Sequence, residues 1–223
     1  MIQPQTIQFL TDLKANNNKP WFDANRKTYE TAKENYIEVI EQLIKGIGEF
    51  DKSIEESGLK AKDCIFRINR DVRFSKDKSP YKTNFGAWFT AGGKKAAGAG
   101  YYLHIDASEC FFAGGVWMPE NSDLKKIRDE IDYNFEEVKG IIEAPDFKKY
   151  FPAGLDREAA TIRPPKGYDE ANPAIELLKL KSFTVSNTFN VSEALKKDFV
   201  PTILKGFEVI NPFIVFLNRA IKG

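Results

Sequence analysis

CIFRINRDVRFSKDKSPYKTNFGAWFT, residues 64–90, decides both how this chain folds and where it concentrates charge. From Cys64 to Phe74, polar and apolar positions alternate. Phe66, Ile68, Val72 and Phe74 fall on one face and Arg67, Asn69, Asp71 and Arg73 on the other, the period of a half-buried strand. The loop SKDKSPYKT follows, and NFGAWFT reads as a second strand. Further on, GGKKAAGAG is a flexible turn, and YYLHID and ECFFAGGVW are two more strands joined at Ala107-Ser108. Parallel neighbours need crossovers of about a dozen residues or more, so these short connections predict an antiparallel meander. SFTVSNTF, near residue 185, adds a further short strand, for about four to five in all.

Helical periods flank the meander. Ile7, Leu10 and Leu13 are helically spaced over residues 5–15, with Pro4 suited to the first turn. Asn16-Asn17-Asn18 stops that helix. A second runs from Trp21 or Phe22 towards Phe50, with Tyr29, Tyr36, Ile40, Leu43, Ile44 and Ile47 as its apolar positions. After Pro119, Ser122 is placed as an N-cap, and Leu124, Ile127, Ile131, Phe135 and Val138 form one stripe. Residues 145–168 read as irregular with short helical turns, and Ala174–Leu180 as helical. Residues 192–221 are helical, divided into segments by Pro201 and Pro212. Neither repeats nor low-complexity linkers interrupt the chain. Helices, then strands, then helices predict a single α+β domain over residues 1–223, its meander packed against N- and C-terminal helices.

Composition narrows the function classes. With 33 basic and 32 acidic residues the net charge is +1, so no global field steers the protein onto nucleic acid. Charge is concentrated instead. Residues 67–82 hold Arg67, Arg70, Arg73, Lys76, Lys78 and Lys82 against only Asp71 and Asp77, a local net charge of +4. Alternation turns Arg67 and Arg73 outward. It turns Arg70 inward, where a guanidinium needs an acidic partner or a bulge that frees it. Arginine's planar fork pairs bidentately with carboxylate or phosphate, so the segment fits an anion site or an internal ion-pair network. Asp77 sits where it can orient Lys76 or Lys78. Ser79-Pro80-Tyr81-Lys82 makes a rigid bend, and Tyr81 can lie in the core or against a bound ring.

Other signals exclude more than they assign. Gly93 and Gly98 have a GxxxxG spacing, but Ala99-Gly100 replaces the Lys-Ser/Thr of a phosphate loop. Cys64 and Cys110 form no CxxC and read as reduced, buried thiols. His104 is the only histidine, so multi-histidine zinc sites are ruled out, and no metal is expected. On its strand it shares a face with Tyr102 and Asp106, where a carboxylate can orient an acid–base histidine. No GxSxG nucleophile elbow is present. The start, MIQPQTIQFLTDLK, lacks a basic region followed by an apolar one, and no apolar run approaches the ~20 residues of a membrane span. A cytoplasmic protein with no membrane partner is the expectation.

NNNKPWFDANRKTYE (16–30), RINRDVRFSKDKSPYKTNFG (67–86) and the blocks GYYLHI, AGGVWMPE and LKKIRDEI within 100–131 resemble the DUF2461 family, a set of bacterial and fungal proteins named as a domain of unknown function. The resemblance covers nearly the whole chain as one domain. It implies no established activity, cofactor or catalytic residue. Trp21, Phe22, Arg67, Arg70, Asp71, Arg73, Phe74, Asp77, Lys78, Pro80, Tyr81 and Lys82 match its pattern.

The functional expectation is a ligand-binding domain, open to being an enzyme, for a phosphorylated or otherwise anionic small molecule or nucleotide. Arg67, Arg70, Arg73, Lys78 and Lys82 are the anion-binding candidates, with Asp71, Asp77, Tyr81 and His104 in support. The alternatives are a nucleic-acid or protein interaction module using the same patch, or a purely structural Arg/Asp network.

Overall fold

The computed structural model describes residues 1–223. Five helices come first: α1 (Pro4–Ala15), α2 (Lys19–Ala24), α3 (Arg26–Gly48), α4 (Lys52–Glu56) and α5 (Ala61–Cys64). Three strands follow, β1 (Asn84–Phe89), β2 (Gly100–Asp106) and β3 (Cys110–Val116). Then come α6 (Asn121–Tyr133), α7 (Phe135–Glu143), α8 (Pro145–Tyr150), α9 (Ile175–Leu178), β4 (Phe183–Phe189), α10 (Val191–Ala194) and α11 (Phe199–Lys222). The strands form one antiparallel sheet of order β1-β2-β3-β4, flanked by N- and C-terminal helices, which is the α+β class read from the sequence.

The chain packs as two compact units, each discontinuous in sequence. The first comprises residues 1–95, 102–112 and 188–205. Its core is aromatic at one end: Phe22 stacks on Tyr81 at 4.0 Å between ring centroids, Tyr36 on Phe85 at 5.1 Å, and Phe9 contacts Trp21, Phe22, Tyr29 and Phe85. Tyr36 is fully buried and donates its hydroxyl to the Leu103 carbonyl at 3.3 Å, which satisfies a polar atom that burial would otherwise penalise. The second unit comprises residues 96–101, 113–187 and 206–223. Tyr101, Phe147, Phe183, Phe207, Ile210, Phe213 and Leu217 are buried there. Asn211 donates to the Tyr101 hydroxyl at 2.7 Å, and the Asn218 amide brackets both backbone polar groups of Ala99.

Several expectations change. The helix read from Trp21 to Phe50 is two helices, separated at Asn25, whose side chain turns back to the Trp21 carbonyl. The N-cap of α6 is Glu120, and Ser122 lies in the first turn. The Leu124–Val138 stripe breaks at Asn134, between α6 and α7. Pro212 does not divide the C-terminal segment; it sits inside the continuous α11. An interior proline costs about 3 kcal/mol. Burial of Ile210, Phe213 and Ile214 around it, each worth about 1.5–3 kcal/mol, offsets that cost. Joined in this way, α11 is long and apolar enough to match a membrane span by length and composition, with a mean hydropathy of 1.5. Half of its most apolar window is buried within the protein.

The largest change concerns residues 64–74. They form no regular strand; only Ile65 and Asn69 make isolated antiparallel bridges, to Ala87 and Tyr81. Phe74 is 96% exposed, although the alternation had placed it with the core. The cause is local chemistry. Asp71 accepts hydrogen bonds from the Arg73 backbone and guanidinium, Asp77 from the Ser79 backbone and hydroxyl, and Lys78 donates to the Val72 carbonyl. Such side-chain bonds compete with a strand ladder.

Candidate functional site

Residues 65–70 run beside 80–87 as an irregular hairpin. Phe66 N–H donates to the Gly86 carbonyl (3.0 Å), Lys82 N–H to Ile68 (2.7 Å) and Arg70 N–H to Pro80 (2.9 Å). The tip, residues 71–79, carries most of the charge and ties most of it internally. Arg70 is half-buried and forms an ion pair with Asp77, with Ser75 Oγ at 3.4 Å as a second contact. Hydrogen bonds from Arg70 and then Ser79 hold the Asp77 carboxyl well below the usual carboxylate range. Arg73 closes a fork on Asp71, with Nε at 3.0 Å and Nη2 at 2.6 Å, and its guanidinium lies over the Phe74 ring. Lys78 Nζ is held by the Val72 carbonyl at 2.9 Å.

Arg67 and Lys82 are different. Arg67 is exposed and Lys82 half-buried, and neither has a carboxylate within ion-pair distance. Lys82 Nζ sits 5.1 Å from the centre of the Phe66 ring. Burial first, and the neighbouring Arg67 guanidinium second, lower its pKa from the ordinary lysine value. Asp71 acts on Arg67 through space, and Lys82 feels the Arg67 charge without a carboxylate of its own.

The sheet supplies the rest. Alternation in β1, β2 and β3 sends Phe85, Ala87, Phe89, Leu103, Ile105, Cys110 and Phe112 into the core. It sends Asn84, Trp88, Tyr102, His104 and Phe111 to the other face, where all are half-buried. Asn84, Tyr102, His104 and Phe111 touch one another. Tyr102 Oη lies 3.1 Å from His104 Nδ1, and Asn84 Nδ2 lies 3.4 Å from the same nitrogen. His104 stacks on Phe111 at 4.6 Å, and Tyr102 meets Phe111 at 5.6 Å and the edge of Phe66 at 6.4 Å. Gly86 makes room for this: a Cβ there would meet the Tyr102 hydroxyl at 2.7 Å. A continuous chain of contacts therefore runs from Lys82 through Phe66 and Tyr102 to His104. Burial pushes the Tyr102 phenol up to about 12 and the His104 imidazole below its ordinary value, with Asp106 and Glu109 pulling His104 the other way.

The predicted site residues thus part company. Lys82, with Arg67 acting on it, lies at one end of that chain of contacts and His104 at the other. Arg70, Arg73, Lys78, Asp71 and Asp77 form the self-paired tip. Tyr81 belongs to neither: it is 6% exposed, stacked on Phe22, and its backbone is clasped by Asn17 at 3.1 and 2.9 Å. Asp106 does not orient His104, since its carboxylate accepts from Ser108 and Thr83 instead. Sequence reasoning overlooked Asn84 and Phe111 and assigned Phe66 to the core. The period-two pattern of NFGAWF and CFFAGGV, applied to the outer face, was the signal for the first two. No group of three or more His, Cys, Asp or Glu side chains is arranged to hold a metal ion, and both cysteines are free and buried. A shallow hollow of about 350 Å³, lined by Ile37, Glu41, Ile44 and residues 59–62, contains none of the site residues.

Fold and site together define an α+β protein whose antiparallel sheet buries one face and carries a cationic, aromatic and polar cluster on the other. The chain belongs to the family described as conserved hypothetical protein (DUF2461), which matches residues 5–216. Comparison with curated proteins and with solved structures gave no match.

Proposed function

We propose that the protein binds a phosphorylated or otherwise anionic small molecule that carries a planar organic group, a nucleotide being the simplest example. One observation carries this reading: Arg67 and Lys82 lie close together with no carboxylate partner, beside half-buried aromatic side chains. Holding Lys82 half-buried near a second cation is unfavourable without an anion, and an anion between them would reverse the sign of that interaction. Phe66, Tyr102 and Phe111 offer ring surface for the organic part, the role Tyr81 was expected to fill. Asn84 and the Tyr102 hydroxyl add neutral hydrogen-bonding groups.

The competing structural reading is favoured at the tip, where Arg70–Asp77 and Arg73–Asp71 satisfy each other. Binding to a nucleic-acid backbone ranks lower, because the cations left unpaired are few. Two reduced, buried thiols suit a cytoplasmic setting.

The test is calorimetric and thermal-shift titration with nucleoside monophosphates and sugar phosphates. Saturable binding is expected. Loss of either cation removes a charge-assisted hydrogen bond worth about 1.5–3 kcal/mol. A small-molecule site keeps most of its affinity in moderate salt, whereas a backbone binder loses roughly one log unit per phosphate contact for each log unit of salt. If no phosphate ester in a broad set shifts the melting temperature, the reading fails.

A further inference from the structure

We infer that the Lys82 amine is a nucleophile that joins the carbonyl carbon of its ligand, so that the ligand class is an anionic aldehyde or ketone. This rests on the ligand reading above and narrows the ligand it names.

Other lysines that this protein holds in place are given oxygen. Lys179, whose side chain is only 12% exposed, reaches Glu170 at 2.7 Å and Glu176 at 3.6 Å. Lys94 is held by the Lys62 and Asp63 carbonyls at 2.8 and 3.2 Å, and Lys126 by the Ile221 carbonyl at 2.8 Å. Lys82 is half-buried without any such acceptor. Its Nζ faces the Phe66 ring, 5.1 Å from the centre, and Arg67 is the charged group that acts on it. Asp71 acts on Arg67 and not on Lys82. An ammonium has three N–H donors to satisfy; a ring face offers one weak contact, and a guanidinium repels it. Losing the proton removes that repulsion. Burial, and then Arg67, accordingly lower the Lys82 pKa, whereas Lys19, Lys52 and Lys196, each paired with a carboxylate, are shifted upward. Desolvation beside a second cation is a known means of activating a lysine as a nucleophile. The backbone under it is fixed: Lys82 N–H donates to the Ile68 carbonyl at 2.7 Å in the stem of the hairpin.

The two cations then have separate tasks. The Arg67 fork suits the phosphate or carboxylate of the ligand, and Lys82 takes the carbonyl. The amine lone pair adds to the carbonyl carbon, the carbonyl π pair moves to oxygen, and that oxygen takes the proton nitrogen gives up. The hydroxyl group so formed accepts a proton from solvent and leaves as water. The resulting iminium returns that proton to give the imine. Amine and carbonyl thus give imine and water, with no oxidant or reductant.

Pyridoxal 5′-phosphate, a planar aldehyde carrying a phosphate, is the probe. The full chain is treated with it, the imines are reduced with cyanoborohydride, and the labelled lysines are located by mass spectrometry. Lys82 should be labelled severalfold faster than Lys76 and Lys78, exposed lysines of the same hairpin. Pyridoxal, which lacks the phosphate, should label Lys82 more slowly. The rate at Lys82 should level off with rising pH at a midpoint below the ordinary lysine value, and Arg67→Ala should move that midpoint up. Adenosine 5′-monophosphate should slow labelling of Lys82 and spare Lys76 and Lys78. If Lys76 and Lys78 react as fast as Lys82, or the Lys82 midpoint stands at the ordinary lysine value, the inference is wrong. The ligand reading then stands if adenosine 5′-monophosphate still binds in calorimetry, which needs no covalent step. If that nucleotide neither binds nor protects, both are wrong.

Discussion

The hairpin tip and the sheet edge are built from similar residues a few positions apart, yet they treat charge in opposite ways. At the tip, Arg70 and Arg73 find Asp77 and Asp71, and Lys78 finds a backbone carbonyl. At the edge, Lys82 lies over a ring and feels the Arg67 charge, and neither cation has a carboxylate within ion-pair distance, although Asp71 acts on Arg67 from further away. The tip neutralises its two arginines and leaves Lys76 and Lys78 exposed to solvent, whereas the edge holds Lys82 half-buried with no carboxylate in ion-pair distance. What marks a candidate anion site is therefore not the density of basic residues but a cation that the protein holds half-buried and leaves unneutralised.

That contrast can be broken most directly at the edge. Arg67→Ala or Lys82→Ala should reduce affinity for a nucleoside monophosphate by roughly 10- to 100-fold in calorimetry, the equivalent of one charged hydrogen bond. Equal losses from Arg73→Ala would erase the distinction. Next in size is Gly86→Ala. Its methyl group would displace the Tyr102 hydroxyl, and affinity should fall by about fivefold to tenfold as the Tyr102–His104 contact is lost. Tyr102→Phe removes the hydroxyl alone. It should cost about 0.5–1.5 kcal/mol in denaturant unfolding, with a smaller loss of affinity.

The tip should respond least. Arg73→Ala breaks a pair with 77% and 44% of its side chains exposed, and should leave both the unfolding midpoint and the ligand affinity unmoved. Asp77 offers a finer probe. Its folded pKa is depressed, so its contribution to stability is present above the ordinary carboxylate value and is lost as pH falls through the lower, folded one. Asp77→Asn should remove that acid-side component from a stability–pH curve and leave the neutral limb unchanged in shape.

The same contrast explains how much was legible in the sequence. β1, β2 and β3 were readable because their alternation is backed by burial on one face: Phe85, Leu103 and Phe112 are core residues, while Asn84, Tyr102, His104 and Phe111 beside them are half-buried. α1 and its initiating Pro4 were readable for the same reason at helical spacing. Residues 64–74 alternate just as well, but nothing buries Phe74, and Asp71 and Asp77 draw the backbone into local bonds. Alternation records a face only where something packs against it. Of the site, Arg67, Lys82 and His104 could be nominated from residue type and place. Their separation from Arg70, Arg73 and Lys78 could not, because it depends on which carboxylate each guanidinium reaches in three dimensions. Tyr81 was ambiguous for a related reason: its ring fits a core or a ligand equally, and Phe22 decides it.

The fourth strand carries a consequence of its own. β4 pairs with β3, yet residues 117–182 separate them in the chain. At their junction Gly115 has φ +128°, and a Cβ there would strike the Phe183 carbonyl, so the two strands meet at a point where only glycine fits. During synthesis β3 must wait, with one edge unpaired, until β4 has emerged. Long-range pairing of this kind forms late and slowly, and an open edge invites association with other chains. Until β4 docks, the unpaired β3 edge is a place where another chain can pair, and Gly115 is the position at which that docking admits no side chain.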